Sequence, residues 1–447
     1  MEPPQLSVDS TPFEDTSAEP PTPTYTPNRR FSDAFLAAIP KTDLHVHLDG
    51  SVRLETLIEL AAEQGIELPA TTVEGLKEKV FKAHYASLVE YLQGFQYTTA
   101  VMQTEAALER VAYEFAVDNF SEGVHYFEVR FAPQLHASAA SGGRDMLTVL
   151  KAVAAGCTRA RDEWNAHAGI GEAGGPPPFE FAIIVCALRM FQGVFSPYYR
   201  EFCEMHKHES DHRVYGLASM SLITAAVAAR REHGVPVVAI DIAGAEAGFP
   251  ARDHKEAYDW AHKHFLNKTV HAGEAFGPES IFQAITDLHA ERIGHGFHLY
   301  SADMCDSMQG DEAAEFCTNL VEFIASRRIT LEVCPTSNLQ TMPELKKSLL
   351  NHPLKRMMED RLSLTVNTDN RTVSNCTLTG ELRQTVDAFD MSEKQLKDCI
   401  IGGFKRSFFP RPYKEKRAYV RRVIDYYERL EQEMNVDRAP PSPVGII

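Results

Sequence analysis

Residues Lys41-Thr-Asp-Leu-His-Val-His-Leu-Asp-Gly-Ser51 alternate apolar with polar side chains, Leu44, Val46 and Leu48 against His45, His47 and Asp49. A period of two is that of a β-strand. It throws both imidazoles to one side, where they can chelate one metal ion. Gly50 and Ser51 then end the strand in a turn. A plainer reading stays open at this point, a surface strand whose polar face carries two histidines. The choice depends on whether the rest of the chain supplies the missing ligands.

Working outward, strand patterns recur at Val124–Phe131, Phe179–Cys186, Pro236–Ile242, Lys268–His271, Arg292–His295, Ile329–Val333 and Leu362–Val366. Helical spacing fills the intervals at Leu54–Gln64, Leu88–Val111 (interrupted by Gly94), Met146–Trp164, Val214–Glu232, His254–Phe265, Pro278–Leu288 and Glu312–Ser326. Eight strands alternating with helices predict an α/β chain folded as a (β/α)8 TIM barrel. Extra helices are expected after strand 1 and at the C-terminus, where Leu378–Met434 is helical around a basic, Pro-broken hinge at Phe408–Tyr413. Residues 1–30 are rich in Pro, Ser, Thr and acidic residues and poor in large aliphatics, which predicts a disordered tail. Residues 31–435 are expected to form a single barrel domain, and 436–447 a loose, Pro-rich C-terminal tail.

Composition narrows the function. Of 447 residues 44% are hydrophobic, enough for a large core. The net charge of −17 argues against nucleic acid or an acidic membrane as partner, since phosphate binding needs a basic surface. No apolar run approaches a bilayer span and no signal sequence opens the chain. The eight cysteines form no Cys-x-x-Cys pair, as expected for reduced thiols in a cytoplasmic protein. No obligate protein partner is indicated.

In a barrel the C-terminal ends of the strands share one mouth. The polar residues of this chain gather at those ends: His45 and His47 on strand 1, Gly244 after strand 4, His271-Ala-Gly-Glu274 on strand 5, His295 on strand 6, and Asn367-Thr-Asp-Asn370 on strand 8. Singly, each has a structural explanation, such as a satisfied histidine or a capping Asp. Jointly, His45, His47, His271 and Asp369 make the three-nitrogen, one-oxygen set of a catalytic zinc site, leaving Glu274 and His295 to handle protons. The end of strand 4 has no Lys to bridge a second metal, so one Zn2+ per chain is expected.

The ordered motifs Lys41-Thr-Asp-Leu-His-Val-His-Leu-Asp-Gly-Ser, Asp241-Ile-Ala-Gly-Ala-Glu, His271-Ala-Gly-Glu, Arg292-Ile-Gly-His-Gly, Glu332-Val-Cys-Pro-Thr-Ser-Asn and Val366-Asn-Thr-Asp-Asn resemble the adenosine deaminase family of the metal-dependent amidohydrolase superfamily. The resemblance spans roughly Pro40 to Glu381. It implies zinc bound through His45, His47, His271 and Asp369, with Glu274 protonating purine N1. It also implies that His295 orients or deprotonates the attacking water, and that the Gly244 N–H meets purine N3. The implied reaction takes adenosine, and 2′-deoxyadenosine with it, to inosine and ammonia in purine nucleoside metabolism. Asp49 would accept from the ribose 5′-hydroxyl, and its charge would repel a 5′-phosphate; a turn-capping Asp before Gly50 is the alternative. Asn370 stands where many members carry a second Asp, and its amide is expected to donate to purine N7 without needing a shifted pKa. Three rivals remain: a deaminase of adenine or another aminopurine, a non-catalytic nucleoside-binding barrel, and a distant amidohydrolase opening a cyclic amide, a type that often uses two metals. The second would be marked by a lost ligand or proton donor, and none is lost.

Overall fold

The computed structural model describes residue 28 and residues 30–85, 88–138 and 143–434. Its centre is eight parallel strands in sequential order: β1 (Lys41–His47), β2 (Val124–Phe131), β3 (Glu180–Leu188), β4 (Val237–Ala243), β5 (Asn267–Ala272), β6 (Arg292–His295), β7 (Thr330–Val333) and β8 (Ser363–Val366). Residues of β1 to β5 are almost all buried, as required when helices cover the outside and side chains fill the inside. The last gap is bridged between Val46 and Asp369. The expected (β/α)8 barrel is therefore found, each strand lying within two residues of its predicted bounds.

Between β1 and β2 the described residues include the α-helices Leu54–Gln64, Val73–Lys79, Leu88–Gln93, Phe95–Val101 and Glu105–Ser121. The helical pattern read over Leu88–Val111 breaks at Gly94, as expected, and a second time before Glu105. Gly94 separates the first two pieces, and Thr104 caps a new helix by accepting from the Ala107 N–H. Short helices without a sequence expectation include Pro197–Met205 after β3 and Pro335–Thr341 after β7. Each begins with Pro at its first turn.

The C-terminal helices Leu378–Phe389, Glu393–Arg406 and Tyr413–Glu433, with Asp33–Ala38, close the N-terminal end of the barrel. Phe35, Leu396, Phe404 and Tyr427 pack there against Leu44, Tyr126 and Ile184 of the strands. Lys41 is fully buried at this end, and its ammonium donates to the carbonyls of Leu36, Ala37 and Ile39. With one end plugged, the mouth at the strand C-termini is the end left for chemistry. The tails expected over 1–30 and 436–447 lie outside the described residues, apart from Asn28 and Arg30. Those two are held in place. The buried Asn28 donates to Asp387 Oδ1 (2.7 Å) and to the Met391 carbonyl (3.0 Å), while Arg30 pairs with Asp390 (2.5 Å). Among the described residues no helix is long and apolar enough to cross a membrane.

Candidate active site

Main-chain hydrogen bonds carry the opening motif to its partner on β8. The Asp369 N–H donates to the His45 carbonyl (2.8 Å), and the His47 N–H donates to the Asp369 carbonyl (2.7 Å). Barrel closure thus inserts Asp369 between the two histidines. His271 on β5 pairs with Gly294 on β6, and Ala272 pairs with His295. A Cβ on Gly294 would lie 2.8 Å from His45 Cε1, so glycine makes the room in which the His45 ring sits. His295 and Asp369 both have positive φ, +63° and +59°, a conformation that costs a non-glycine residue roughly 1–3 kcal/mol and persists where surrounding structure imposes it.

Five side chains converge at the mouth. One donor atom from each of His45, His271, His295 and Asp369 lies within 4.8 Å of every other. His47 Nε2 joins them, 3.2 Å from His271 Nε2 and 3.5 Å from Asp369 Oδ1, and His45 Nε2 lies 3.5 Å from the same oxygen. Two ligands of a tetrahedral zinc at ordinary bond lengths are separated by roughly 3.3 Å, so these spacings fit one ion. His45 Nε2 is fully buried without a hydrogen-bond partner among the described residues, which a metal would remedy.

Beneath the histidines lies a buried ring of charge. Glu332 Oε2 is 2.8 Å from His45 Nδ1, and Asp241 Oδ2 is 2.9 Å from His271 Nδ1. Glu332 accepts the His45 Nδ1 proton, and Asp241 lies close enough to His271 Nδ1 for its charge to favour a proton there; both arrangements leave Nε2 with a lone pair for a metal. Arg130 bridges the two, 2.7 Å to Asp241 and 2.9 Å to Glu332, and Arg292 adds a contact to Glu332 (2.6 Å) and one to Glu128. Burial alone would push Asp241 up, but His271 and Arg130 outweigh it and hold the carboxyl well below its usual range. Burial, with the neighbouring imidazoles, outweighs Asp369 and keeps His47 and His295 far below the usual imidazole range, the neutral form that ligation or hydrogen bonding needs. Asp241, Glu332 and Arg130 received no role from the sequence. Their signal was available all the same, since each is a charged residue inside a strand flanked by apolar neighbours.

Glu274 follows β5, its Oε1 3.6 Å from His295 Nε2. Burial, then the charge of Asp369, pushes its carboxyl up to about 8, so it retains its proton near neutrality. Its loop is fixed from behind. Glu246 accepts from the Gly273 N–H (2.8 Å), the Glu274 N–H (3.0 Å), the Ala275 N–H (2.7 Å) and the Ser280 hydroxyl (2.5 Å).

The remaining residues flank this centre. Asp49 is only 4% exposed, its Oδ1 is without a hydrogen-bond partner among the described residues, and burial raises its pKa to about 7. Gly244 closes β4 at φ +93°, with only the Arg189 nitrogen as near as 4.0 Å to where a Cβ would be, so conformation rather than crowding selects glycine. Asn370 is buried. Its amide donates to the Tyr91 hydroxyl (2.7 Å), which lies 2.9 Å from Ser374 Oγ. One amide N–H is therefore committed to Tyr91, and only the second is left for a ligand. Tyr91 was not singled out from the sequence, and its helical segment gave no reason to.

A parallel barrel with a cluster of histidines and a carboxylate at its mouth has the donors to hold a metal ion that activates water. The model of the family described as "Adenosine deaminase" matches residues 40–217 and 210–426. An adenosine deaminase of Mycobacterium avium is 36% identical over 390 residues, covering 86% of this chain and 94% of its own. The chain belongs to the adenosine deaminase family and is a hydrolytic deaminase. Among solved structures, an adenine deaminase of Arthrobacter aurescens superposes with a TM-score of 0.66 at 22% identity, covering 88% of this chain and all of its own. An amidohydrolase of Burkholderia ambifaria with bound zinc does so with 0.69 at 19%, covering 94% and 97%. At these identities the two share the fold.

Proposed function

We propose that the protein deaminates adenosine and 2′-deoxyadenosine to inosine and ammonia as a zinc enzyme of the cytoplasm. The observation that carries this reading is the buried Glu274 carboxyl 3.6 Å from His295 Nε2, beside the converging nitrogens of His45, His47 and His271 and the Asp369 carboxylate. That set suits zinc among the common divalent ions. Zinc held by His45, His47, His271 and Asp369 would supply Lewis acidity and bring the pKa of a coordinated water towards neutrality. The eight cysteines are all free, which suits a reducing compartment.

The side chains do the rest. Glu274 donates its proton to purine N1, drawing electron density from C6 so that water adds there. His295 lies beside the attacking oxygen. The water gives up two protons in all, one that restores the Glu274 acid and one that reaches the amino group, so ammonia departs as the C6 carbonyl forms, with no covalent enzyme intermediate. The Gly244 N–H meets N3 and the free Asn370 N–H meets N7. The unpartnered Asp49 Oδ1 accepts from the ribose 5′-hydroxyl, and a buried carboxylate at that place disfavours a 5′-phosphate.

Adenosine, 2′-deoxyadenosine, AMP and adenine offered in parallel, with and without chelator, test this reading by the ultraviolet loss of the aminopurine. The two nucleosides are expected to turn over, AMP and adenine to lag by about 100-fold or more, and activity to vanish with verified removal of the metal. AMP turned over as fast as adenosine would overturn the role of Asp49, adenine as the best substrate would favour the rival deaminase, and full activity without metal would overturn the zinc site.

A second expectation concerns pH. Only the protonated form of Glu274 can donate, so kcat/KM should fall as pH rises through its pKa. That limb should appear no higher than about 8, because a cation in the adjacent cluster favours the carboxylate. A profile flat from pH 6 to 9.5 would remove Glu274 from the proton-donor role.

A further inference from the structure

Behind His295 runs a chain of buried polar contacts in which one group has no choice of role. The Leu354 N–H lies 2.9 Å from His352 Nδ1. An amide N–H only donates, so His352 Nδ1 accepts. A ring that accepts at Nδ1 carries its proton on Nε2, and His352 Nε2 lies 3.1 Å from Asn338 Oδ1. With its oxygen engaged on that side, Asn338 turns its NH₂ towards His295, Nδ2 to Nδ1 3.2 Å. An amide NH₂ also only donates. Asn338 and His352 are both buried (0% and 3% exposed), so water offers neither an alternative partner.

We infer that His352 and Asn338 are positioning residues that fix the tautomer of His295, with its proton on Nε2, the nitrogen that faces Glu274. Two consequences follow. A protonated Nε2 has no lone pair for a metal, which separates His295 from His45 and His271, whose Nδ1 atoms face carboxylates. The ligand set then reduces to His45, His47, His271 and Asp369. Further, a ring presenting N–H to the site is a hydrogen-bond donor to the attacking oxygen, and the first acceptor of the water proton must be another group. Of the two roles open to His295, orienting or deprotonating, the relay selects orienting.

The kinetic part of this inference rests on the deaminase reading; the tautomer does not. Metal-loaded protein labelled with ¹⁵N-histidine would be examined by two-bond ¹H–¹⁵N correlation, with His295→Asn identifying the signal of this ring. The wild-type pattern is expected to be that of the Nε2–H tautomer, from pH 6 to 8. In Asn338→Asp both side-chain oxygens accept, so His295 should take its proton on Nδ1. The signal should switch, and kcat for adenosine should fall about 100-fold with KM changed less than about threefold. An Nδ1–H pattern in the wild type overturns the inference on its own, whatever becomes of the variant. So does Asn338→Asp with tautomer and kcat unchanged. A wild-type protein with the expected pattern but no turnover of adenosine would instead defeat the functional reading and leave the relay standing.

Discussion

Glu274→Gln is expected to lower kcat/KM for adenosine by about 10³-fold while leaving KM within about threefold of wild type. The amide matches the acid in size and still offers N–H to purine N1, so the base is held. It has no proton to give away, and the step that makes C6 electrophilic is lost. Such a pattern, kcat falling alone, is that of an interaction made in the transition state. The backbone should not move, because the N–H groups of Gly273, Glu274 and Ala275 are held by Glu246 rather than by the Glu274 side chain. Burial of the carboxyl is unfavourable, as its pKa near 8 indicates, so the neutral amide should leave Tm unchanged or slightly raised. Steady-state kinetics, thermal melting and metal analysis on one preparation check all three. Activity within tenfold of wild type at full metal content would remove Glu274 from proton transfer.

The barrel was legible because its strands announce themselves locally. Val124–Phe131 and Pro236–Ile242 are β-branched and aromatic runs bounded by turn residues, and even the four-residue β6 was marked by Ile293 between Arg292 and His295. Local pattern fails where boundaries depend on caps. Thr104 breaks what reads as one helix, and Pro197–Met205 is placed by Phe191, Tyr199 and Phe202 packing on Val214 and Tyr215, contacts with no periodic signature. The site divides in the same way. His45, His47, His271, Asp369, Glu274 and His295 could be picked out because barrel topology sends strand ends to one mouth. The groups that set their protonation are chosen by the fold: Glu332 is 287 residues from His45 and His352 lies 57 beyond His295, so no spacing rule connects them. Tyr91 reaches Asn370 from a helix 279 residues away, and only the closed barrel reveals that one amide hydrogen is already committed.

Arg130→Met is expected to destabilise the protein by about 3–5 kcal/mol, the range for stripping one partner from a buried ion pair. For a chain of this size that corresponds to a fall in Tm of roughly 3–5 °C. Arg130 is completely buried and joins Asp241 to Glu332, while also donating to the Leu44 carbonyl on the strand that carries His45. Methionine fills the volume, so the loss is electrostatic rather than a cavity. Glu332 keeps Arg292, whereas Asp241 loses its guanidinium and is left with the His271 ring and the Ile242 and His271 amides among its partners. Because the two carboxylates orient the histidines, metal affinity should fall with stability, by about 10- to 100-fold. Arg130→Lys should sit between the two proteins, since one ammonium cannot reach both carboxylates as the guanidinium fork does. The pH dependence has a defined sign. The wild-type Asp241 carboxyl is held below its usual range, so its contribution is present above the ordinary carboxylate pKa and is lost as pH falls towards the depressed one. In Arg130→Met that depression is weakened, and protonation relieves the unpaired charge. The Tm gap between wild type and variant should therefore hold from pH 7 to 5 and narrow as pH falls below the ordinary carboxylate pKa of about 4. A gap that is constant with pH, or a variant that melts with the wild type and retains its metal, would show that Arg130 fills space and does not hold the charge balance under the metal site.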